Sequence, residues 1–494
     1  MRIHWFSPLP PAPTEIAQHT LRLLPVLRAR AEVTLWTSQA EPPESVDGAE
    51  VRRFVPGHLP RRWCGDGEPV FFQIGNNARF HRDIWQICRE YPGIAVLHDA
   101  MLHDAVVNHC RFAPEVEGVY PDGWTSDRVR IAFAGGGRIA LRLAAPAWLS
   151  SPLAVQTLAE TQAVPPGERI EIVRDLPPRA GSFEVRFSPA GSAAADPRIL
   201  AAFLESLSVV GPGGQELSYG RESYCGILES LYGPRGRRDA ELHWRGVLSL
   251  DRMAAVYSCL PWVLPSARAV VVHSRMAERA VRRESRVPVA RLAIPAPARG
   301  LPPERVPEDP PWRLVVFGHL GANRGIDSIL EALHLLDQER GLFRLHIYGT
   351  LHDPEAARRR IEQLGLREIA AIHGRVSDEE LEAALAGAHL GLNLRYPTRG
   401  EASTAQLRIW SHGLPAIVTQ IGWYAEQPAG TVAFLRPRSM VEDLAALLGR
   451  YAADPRPFLR MGLAGYRHFA AHHTVERYVE GLLDVAARAS RHNG

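Results

Sequence analysis

Short apolar runs alternate with amphipathic ones from the first residues onward. Residues 2–6 read as a strand, a turn follows through Pro8, Pro10, Pro11 and Pro13, and Ile16, Leu21, Leu24 and Leu27 recur at an approximate helical period. Further apolar strands fall at 33–36, 70–74, 94–97 and 269–272, with helical patterns at 80–88 and 276–283. Strands apolar on both faces belong in a parallel sheet covered by helices. Between about 112 and 218 the rhythm changes to alternation, as in Val129-Arg130-Ile131-Ala132-Phe133 and Phe183-Glu184-Val185-Arg186-Phe187. That period buries one face of each strand and wets the other. With turn signals at Gly135-Gly136-Gly137 and Pro165-Pro166-Gly167, it predicts a small β-sandwich-like module inserted into the α/β series.

Helical patterns resume at 222–231 and 239–257, and clustered prolines from Pro295 to Pro311 mark a linker. A regular series follows: strand 313–317, helix 326–336, strand 343–348, helix 354–364 and strand 369–373. Ser377 with Glu380 forms a capping box for a helix to Ala386, and strands at 390–394 and 416–419 and an amphipathic helix at 475–489 complete the chain. The resulting division is 1–111 and 219–295 as two parts of an N-terminal Rossmann-like domain, 112–218 as the insert, 296–311 as linker, 312–472 as a second Rossmann-like domain, and 473–494 as a helix packing back toward the N-terminal domain.

A chain of 494 residues, 46% hydrophobic and 22% charged, has the composition of a globular protein of about three folding units. Its five cysteines, Cys64, Cys88, Cys110, Cys225 and Cys259, contain no Cys-x-x-Cys pair, which argues against a disulfide framework or a zinc site. No apolar run reaches the length of a membrane span and the first residues lack a signal-peptide core, so the expected location is cytoplasmic. The pairs Arg52-Arg53 and Arg61-Arg62 are candidates for peripheral contact with an anionic inner membrane face, against solvated charge as the plainer reading. Net charge is only +3, and no nucleic-acid partner is expected. Lysine is absent, so any phosphate-binding cation must be arginine or histidine.

In doubly wound sheets, ligands bind beyond the carboxyl ends of the strands, where loops feed helix N-termini. Four loops of the second domain carry candidate residues. The first holds Gly318, His319 and Arg324, and the second Gly374 and Arg375. The third runs from Arg395 to Thr404 and includes Gly400, Glu401, Ser403 and Thr404, and the fourth ends at Glu426. Glycine permits close backbone approach and arginine meets phosphate bidentately. The third loop, with its hydroxyls and helix amides, reads as a diphosphate cradle with Glu401 on sugar hydroxyls. Taken singly, these are also ordinary turns, and Ser403 and Thr404 ordinary helix caps. His98-Asp99, His103-Asp104 and His109 read as surface histidines rather than metal ligands. Trp124 and Trp148 read as sandwich core rather than sugar platforms.

The order Gly318 with Arg324, Tyr348-Gly349, Gly374-Arg375, Glu401, Gly413-Leu414-Pro415 and Gly422 with Glu426 resembles the second domain of retaining GT-B glycosyltransferases of family four, the glycosyl transferases group 1. Ser7-Pro8-Leu9-Pro10-Pro11, Gly75-Asn76-Asn77, Leu97-His98-Asp99 and Val272-His273-Ser274 extend the resemblance to the N-terminal half. It implies two Rossmann-like domains facing a cleft, acceptor on the N-terminal side and donor on the C-terminal side. It also implies front-face transfer from a nucleotide diphosphate sugar to a glycan or lipid-linked acceptor in surface polysaccharide or glycolipid synthesis, without metal or other cofactor. Arg324 would neutralise the departing diphosphate, Glu401 would hold the donor sugar, and His98 would contact it near the anomeric carbon. Three positions depart from the pattern. Ile409 with Arg408 stands eight after Glu401, where a ribose-binding glutamate is usual, Thr14-Glu15 replaces a glycine of the first loop, and His319 replaces a stronger base. Glu15, the missing second glutamate and the insert motivate one rival, an inactive GT-B carbohydrate-binding or scaffold protein, and a nucleotide-sugar epimerase is a second rival on the same fold.

Overall fold

The computed structural model describes residues 2–491 apart from 57–58, 60–62, 66, 112–115, 121–122, 134–135, 192–197, 211–215, 298–299, 303 and 338–340. The chain forms two compact units: Met1–Ala17, Val33–Ala95 and Met101–Arg268 in one, Gln18–Glu32, Val96–Ala100 and Ala269–Gly494 in the other. The expected α/β class is present. The first-half strands belong to an eight-stranded sheet whose described pairings are parallel, except that of Ser45–Val46 with Ala49–Arg53.

Within the first unit, residues read as an alternating insert form two antiparallel sheets. Five strands run in the order Thr161–Val164, Leu153–Gln156, Gly181–Ser188, Thr125–Phe133 and Val116–Val119, and four in the order Arg169–Asp175, Arg138–Ala144, Phe203–Val210 and Glu216–Tyr219. Alternate residues of both sheets, among them Val129, Ile131, Ile139, Leu141, Leu143, Val185 and Leu207, share one core, which makes the module a sandwich. Neither tryptophan is part of that core. Trp148 is 44% exposed, and Trp124 is half-buried with its ring edge-on to Phe203 at 5.5 Å, because the packed positions are filled by β-branched and leucine side chains.

The expected surface histidines of the 103–109 helix are also corrected. Helix His103–Arg111 is enclosed on most sides, and His103 is fully buried with Nε2 hydrogen-bonded to the Tyr224 hydroxyl at 2.8 Å. His109 is buried too, and desolvation, with the Arg82 and Arg89 charges, pushes its pKa down to about 3. Arg61 and Arg62 lie outside the described residues. Arg52 pairs with Glu50 at 2.8 Å and lies over the Trp36 ring. No described helix is long and apolar enough to cross a membrane.

The second unit holds a wholly parallel six-stranded sheet in the order Ala370–Gly374, Phe343–Leu351, Trp312–Leu320, Leu390–Asn393, Ala416–Thr419, Ala433–Leu435. In chain order this is 3-2-1-4-5-6, the doubly wound arrangement. Its first strand shows why helices cover both faces. Leu314, Val316 and Leu320 enter one core with helix Ile326–Asp337, while Val315 and Phe317 enter the opposite core with helix Thr404–Ser411. The Ser377–Glu380 capping box is formed as read. The proline-rich segment before the sheet is pinned rather than loose: Arg305 donates to the carbonyls of His412 at 3.1 Å and Leu385 at 3.0 Å.

The first two strands meet at paired glycines, Gly318 opposite Gly349, with φ of 107° and 110°. A Cβ on Gly349 would stand 2.0 Å from the Gly318 carbonyl oxygen. Gly349→Ala should therefore cost about 2 kcal/mol or more, from backbone strain and this clash together, and lower the urea midpoint of the C-terminal unit. An unchanged midpoint would show that the strand ends can part freely.

Candidate functional site

The strand order reverses between Trp312–Leu320 and Leu390–Asn393, so the loops leaving these neighbours diverge and open a crevice at their carboxyl ends. Arg324 comes from the first loop. It ends a single 3-10 turn, Ala322–Arg324, closed by Gly325 in the left-handed region. Its guanidinium folds back into the unit at 6% exposure. Nη1 donates to Asn393 Oδ1 at 3.2 Å and Nη2 to the Phe317 carbonyl at 3.5 Å. Asn393 is held in turn: its amide donates to Ser403 Oγ at 3.1 Å and Gln406 Oε1 at 3.2 Å, and the Tyr424 hydroxyl donates to its Oδ1 at 3.3 Å. Burial, with repulsion from Arg395, pushes Arg324 down to about 10, which leaves it charged at neutral pH.

Arg395, which opens the third loop, is a second guanidinium, half-buried beside Arg324. Its Nε lies 2.9 Å from Glu401 Oε1. Burial works against its charge, but Tyr424, Glu401 and Asp99 outweigh that and hold its pKa above the ordinary arginine value. Glu401 spends its other oxygen on the Thr398 hydroxyl at 2.8 Å and the Arg399 amide at 2.7 Å. Arg395 thus has Glu401 as its ion-pair partner, while Arg324 donates to the neutral oxygens of Asn393 and Phe317. Such a site carries positive charge that an anion would compensate.

His98 belongs to the same unit. The Ala100 amide donates to the Arg399 carbonyl at 2.9 Å, and a Cβ on Gly400 would stand 2.4 Å from the Ala100 Cβ. Glycine at 400 therefore lets the loop of His98 and the loop of Glu401 touch backbone to backbone. The loop of Gly400 and Glu401 thus lies against the loop that carries His98, and the Asn393 network joins Arg324 to Ser403 and Gln406 beyond it.

The other candidates divide. Gly318 and His319 stand exposed at the strand end, close to the Arg324 guanidinium in the case of Gly318. Gly374, at φ 71°, closes its strand and Arg375 is exposed beyond it. Beside them His373 stacks on Tyr348 with ring centres 4.4 Å apart, a flat aromatic surface that periodicity alone does not reveal. Ser403 is a helix cap, accepting from the Gln406 amide at 3.2 Å and from Asn393, so it orients the network. Thr404 is the first helical residue and half-buried. Glu426 caps a helix in this structure. Its two oxygens accept from the amides of Arg275 at 2.7 Å and Met276 at 2.9 Å, because the N-terminus of helix Arg275–Glu284 offers unsatisfied donors and a positive dipole end. Glu15 lies exposed in the first turn of its helix.

Two outcomes follow from the charge balance. Inorganic pyrophosphate should raise the thermal midpoint of the wild type, and Arg324→Met should abolish that shift, as differential scanning fluorimetry would register. Glu401→Gln should cost about 3 kcal/mol in urea unfolding by leaving Arg395 unpaired, with pyrophosphate restoring part of the loss.

Residues 311–454 match the family model of glycosyl transferases group 1. A curated relative, MMP alpha-(1->4)-mannosyltransferase of Mycolicibacterium hassiacum, is 29% identical over 175 residues, 33% of this chain and 42% of the relative's length. The match therefore spans less than half of that protein. Sucrose-phosphate synthase from Thermosynechococcus elongatus superposes with a TM-score of 0.53 at 13% identity, covering 99% of this chain and 98% of that one. At that identity the likeness concerns the fold, and it embraces the insert-bearing chain as a whole. Residues 311–454 are accordingly similar to glycosyl transferases group 1, within a chain of GT-B-like fold.

Proposed function

We propose that the chain is a retaining glycosyltransferase that moves a sugar from a nucleotide diphosphate sugar to a glycan or lipid-linked acceptor, with a role in surface polysaccharide or glycolipid synthesis at the cytoplasmic face of the membrane. The observation that carries this reading is the buried Arg324 beside the half-buried Arg395–Glu401 ion pair at the switch point of the C-terminal sheet. A mannosyltransferase relative over part of the chain supports glycosyl transfer as the class of reaction.

In the proposed reaction the bond between the anomeric carbon and the diphosphate oxygen breaks, and its electron pair leaves on the diphosphate. Arg324 stabilises that charge from a preorganised, water-poor position, which is where electrostatic help is worth most. The acceptor hydroxyl attacks from the face the diphosphate leaves, and its proton passes to the departing phosphate oxygen. His98 contacts the donor sugar near the reacting carbon. Glu401 acts in two ways, holding Arg395 in place and offering its remaining lone pairs to sugar hydroxyls. Tyr348 and His373, beside Gly374 and Arg375, supply a stacking surface for the base. No metal is required, because guanidinium groups take the part of the cation.

A second reading, a carbohydrate-binding or scaffold protein on the same fold, is favoured by the engagement of both Glu401 oxygens within the protein and by Ile409 at the position expected to hold ribose. A thermal-shift screen of UDP, GDP, ADP, CDP and TDP and their sugars, followed by transfer assays with the stabilising donor in EDTA, separates the two. Transferase function predicts a selective shift, lost in Arg324→Ala, and a product whose anomeric proton coupling matches the donor's. Binding of glycan with no nucleotide shift at millimolar concentration would move the assignment to the scaffold reading. Donor conversion without acceptor would instead indicate epimerase chemistry.

A further inference from the structure

Four ring side chains converge in the second unit: His19, His98, His273 and Tyr478. Ring centres lie 5.0 Å apart for His19–His98, 5.4 Å for His19–Tyr478, 5.4 Å for His98–His273 and 5.7 Å for His273–Tyr478, so each touches two others in a closed circuit. Three of them are almost wholly buried, His19 at 2%, His273 at 5% and Tyr478 at 2% exposure. Yet His19 Nδ1 and Nε2, His273 Nε2 and the Tyr478 hydroxyl have no hydrogen-bond partner among the described residues. Buried polar groups are rarely left so, since each orphan forfeits solvation without return. An apolar circuit of the same shape, with phenylalanine at 478, would pack as well.

The hydrogen-bonding capacities are complementary. His273 Nδ1 lies 3.2 Å from the Leu292 carbonyl, so it carries the proton and leaves Nε2 as an acceptor. Neutral His19 offers one donor and one acceptor, and Tyr478 a donor. Desolvation, with the charges of His273 and Arg22, holds His19 well below its ordinary pKa, and desolvation holds His273 at about 4, so both are neutral under ordinary conditions. The atoms do not reach one another, but donors and acceptors balance among these clustered rings, and buried polar groups of this kind are the ones a buried water satisfies.

We propose that His19, His273 and Tyr478 are positioning residues that set the orientation and tautomer of His98 from behind, through a buried water held by their unpartnered atoms. The idea rests on the proposed role of His98 at the donor sugar. Its parts come from far apart in the chain, the first helix, the strand-end loop of His273 and helix Val475–Arg491. The terminal helix thus contributes to the site through one hydroxyl.

Tyr478→Phe removes that hydroxyl alone, and His19→Phe is a second variant of similar shape. For Tyr478→Phe we expect an unchanged or raised thermal midpoint, kcat reduced about tenfold by misalignment and a donor KM within about twofold of wild type. The double variant His98→Ala/Tyr478→Phe should be no slower than His98→Ala, because the hydroxyl acts only through His98. In protein labelled with 15N-histidine, Tyr478→Phe should shift the His98 ring nitrogens, a readout that needs no transferase activity. Unchanged His98 shifts in both variants, or multiplicative losses in the double variant, would overturn the positioning role. Changed shifts in a protein that transfers no sugar would preserve it while refuting the proposed reaction.

Discussion

Two neighbouring guanidinium groups, Arg324 buried and Arg395 half-buried against Glu401, are the constraint around which the second unit is organised. Burying a cation costs several kcal/mol unless its surroundings compensate, and here compensation is assembled from three loops. Glu401 reaches Arg395, Asn393 reaches Arg324, and Tyr424 reaches Asn393. Each of these residues is itself held by a second bond, so the guanidiniums keep their positions without an anion present. A site prepared in this way loses little on binding a diphosphate, since its dipoles need no reorganisation.

The same economy explains the division of labour among acidic residues. Glu401 and Glu426 occupy comparable loops after parallel strands, yet one balances an arginine and the other caps a helix. The difference lies in what each loop meets. Glu401 faces a buried side-chain cation, whereas Glu426 faces two backbone amides at a helix start, which hydrogen-bond and attract a carboxylate equally well. Ser403 shows the same effect on a smaller scale, its hydroxyl committed to the helix it opens and to Asn393.

The contact of Ala100 with the Arg399–Gly400 turn links the site to the histidine circuit. It fixes the strand-end loop that carries His98, and behind that loop stand His19, His273 and Tyr478. A charged layer and a neutral polar layer therefore flank one short loop. In the proposed reaction the first would supply electrostatic stabilisation and the second orientation, without adding charge that would compete with a donor.

Periodicity in the sequence was enough to locate the strands and helices, the change from α/β rhythm to alternating strands, and the loops bearing Gly318, Arg324, Gly374 and Glu401. Local pattern carries that information because burial on one face or two is written in the residue types themselves. Tertiary structure alone decided the partners. That Arg395 pairs with Glu401, that Glu426 turns to a helix start, that His103 and His109 are buried while Trp148 is exposed, and that Asn393 joins Arg324 to Ser403 all depend on which loops the 3-2-1-4-5-6 strand order and the packing of distant helices bring together. A side chain's role is set by the groups that meet it in space, and those groups lie tens to hundreds of residues away along the chain, as His19, His98, His273 and Tyr478 do.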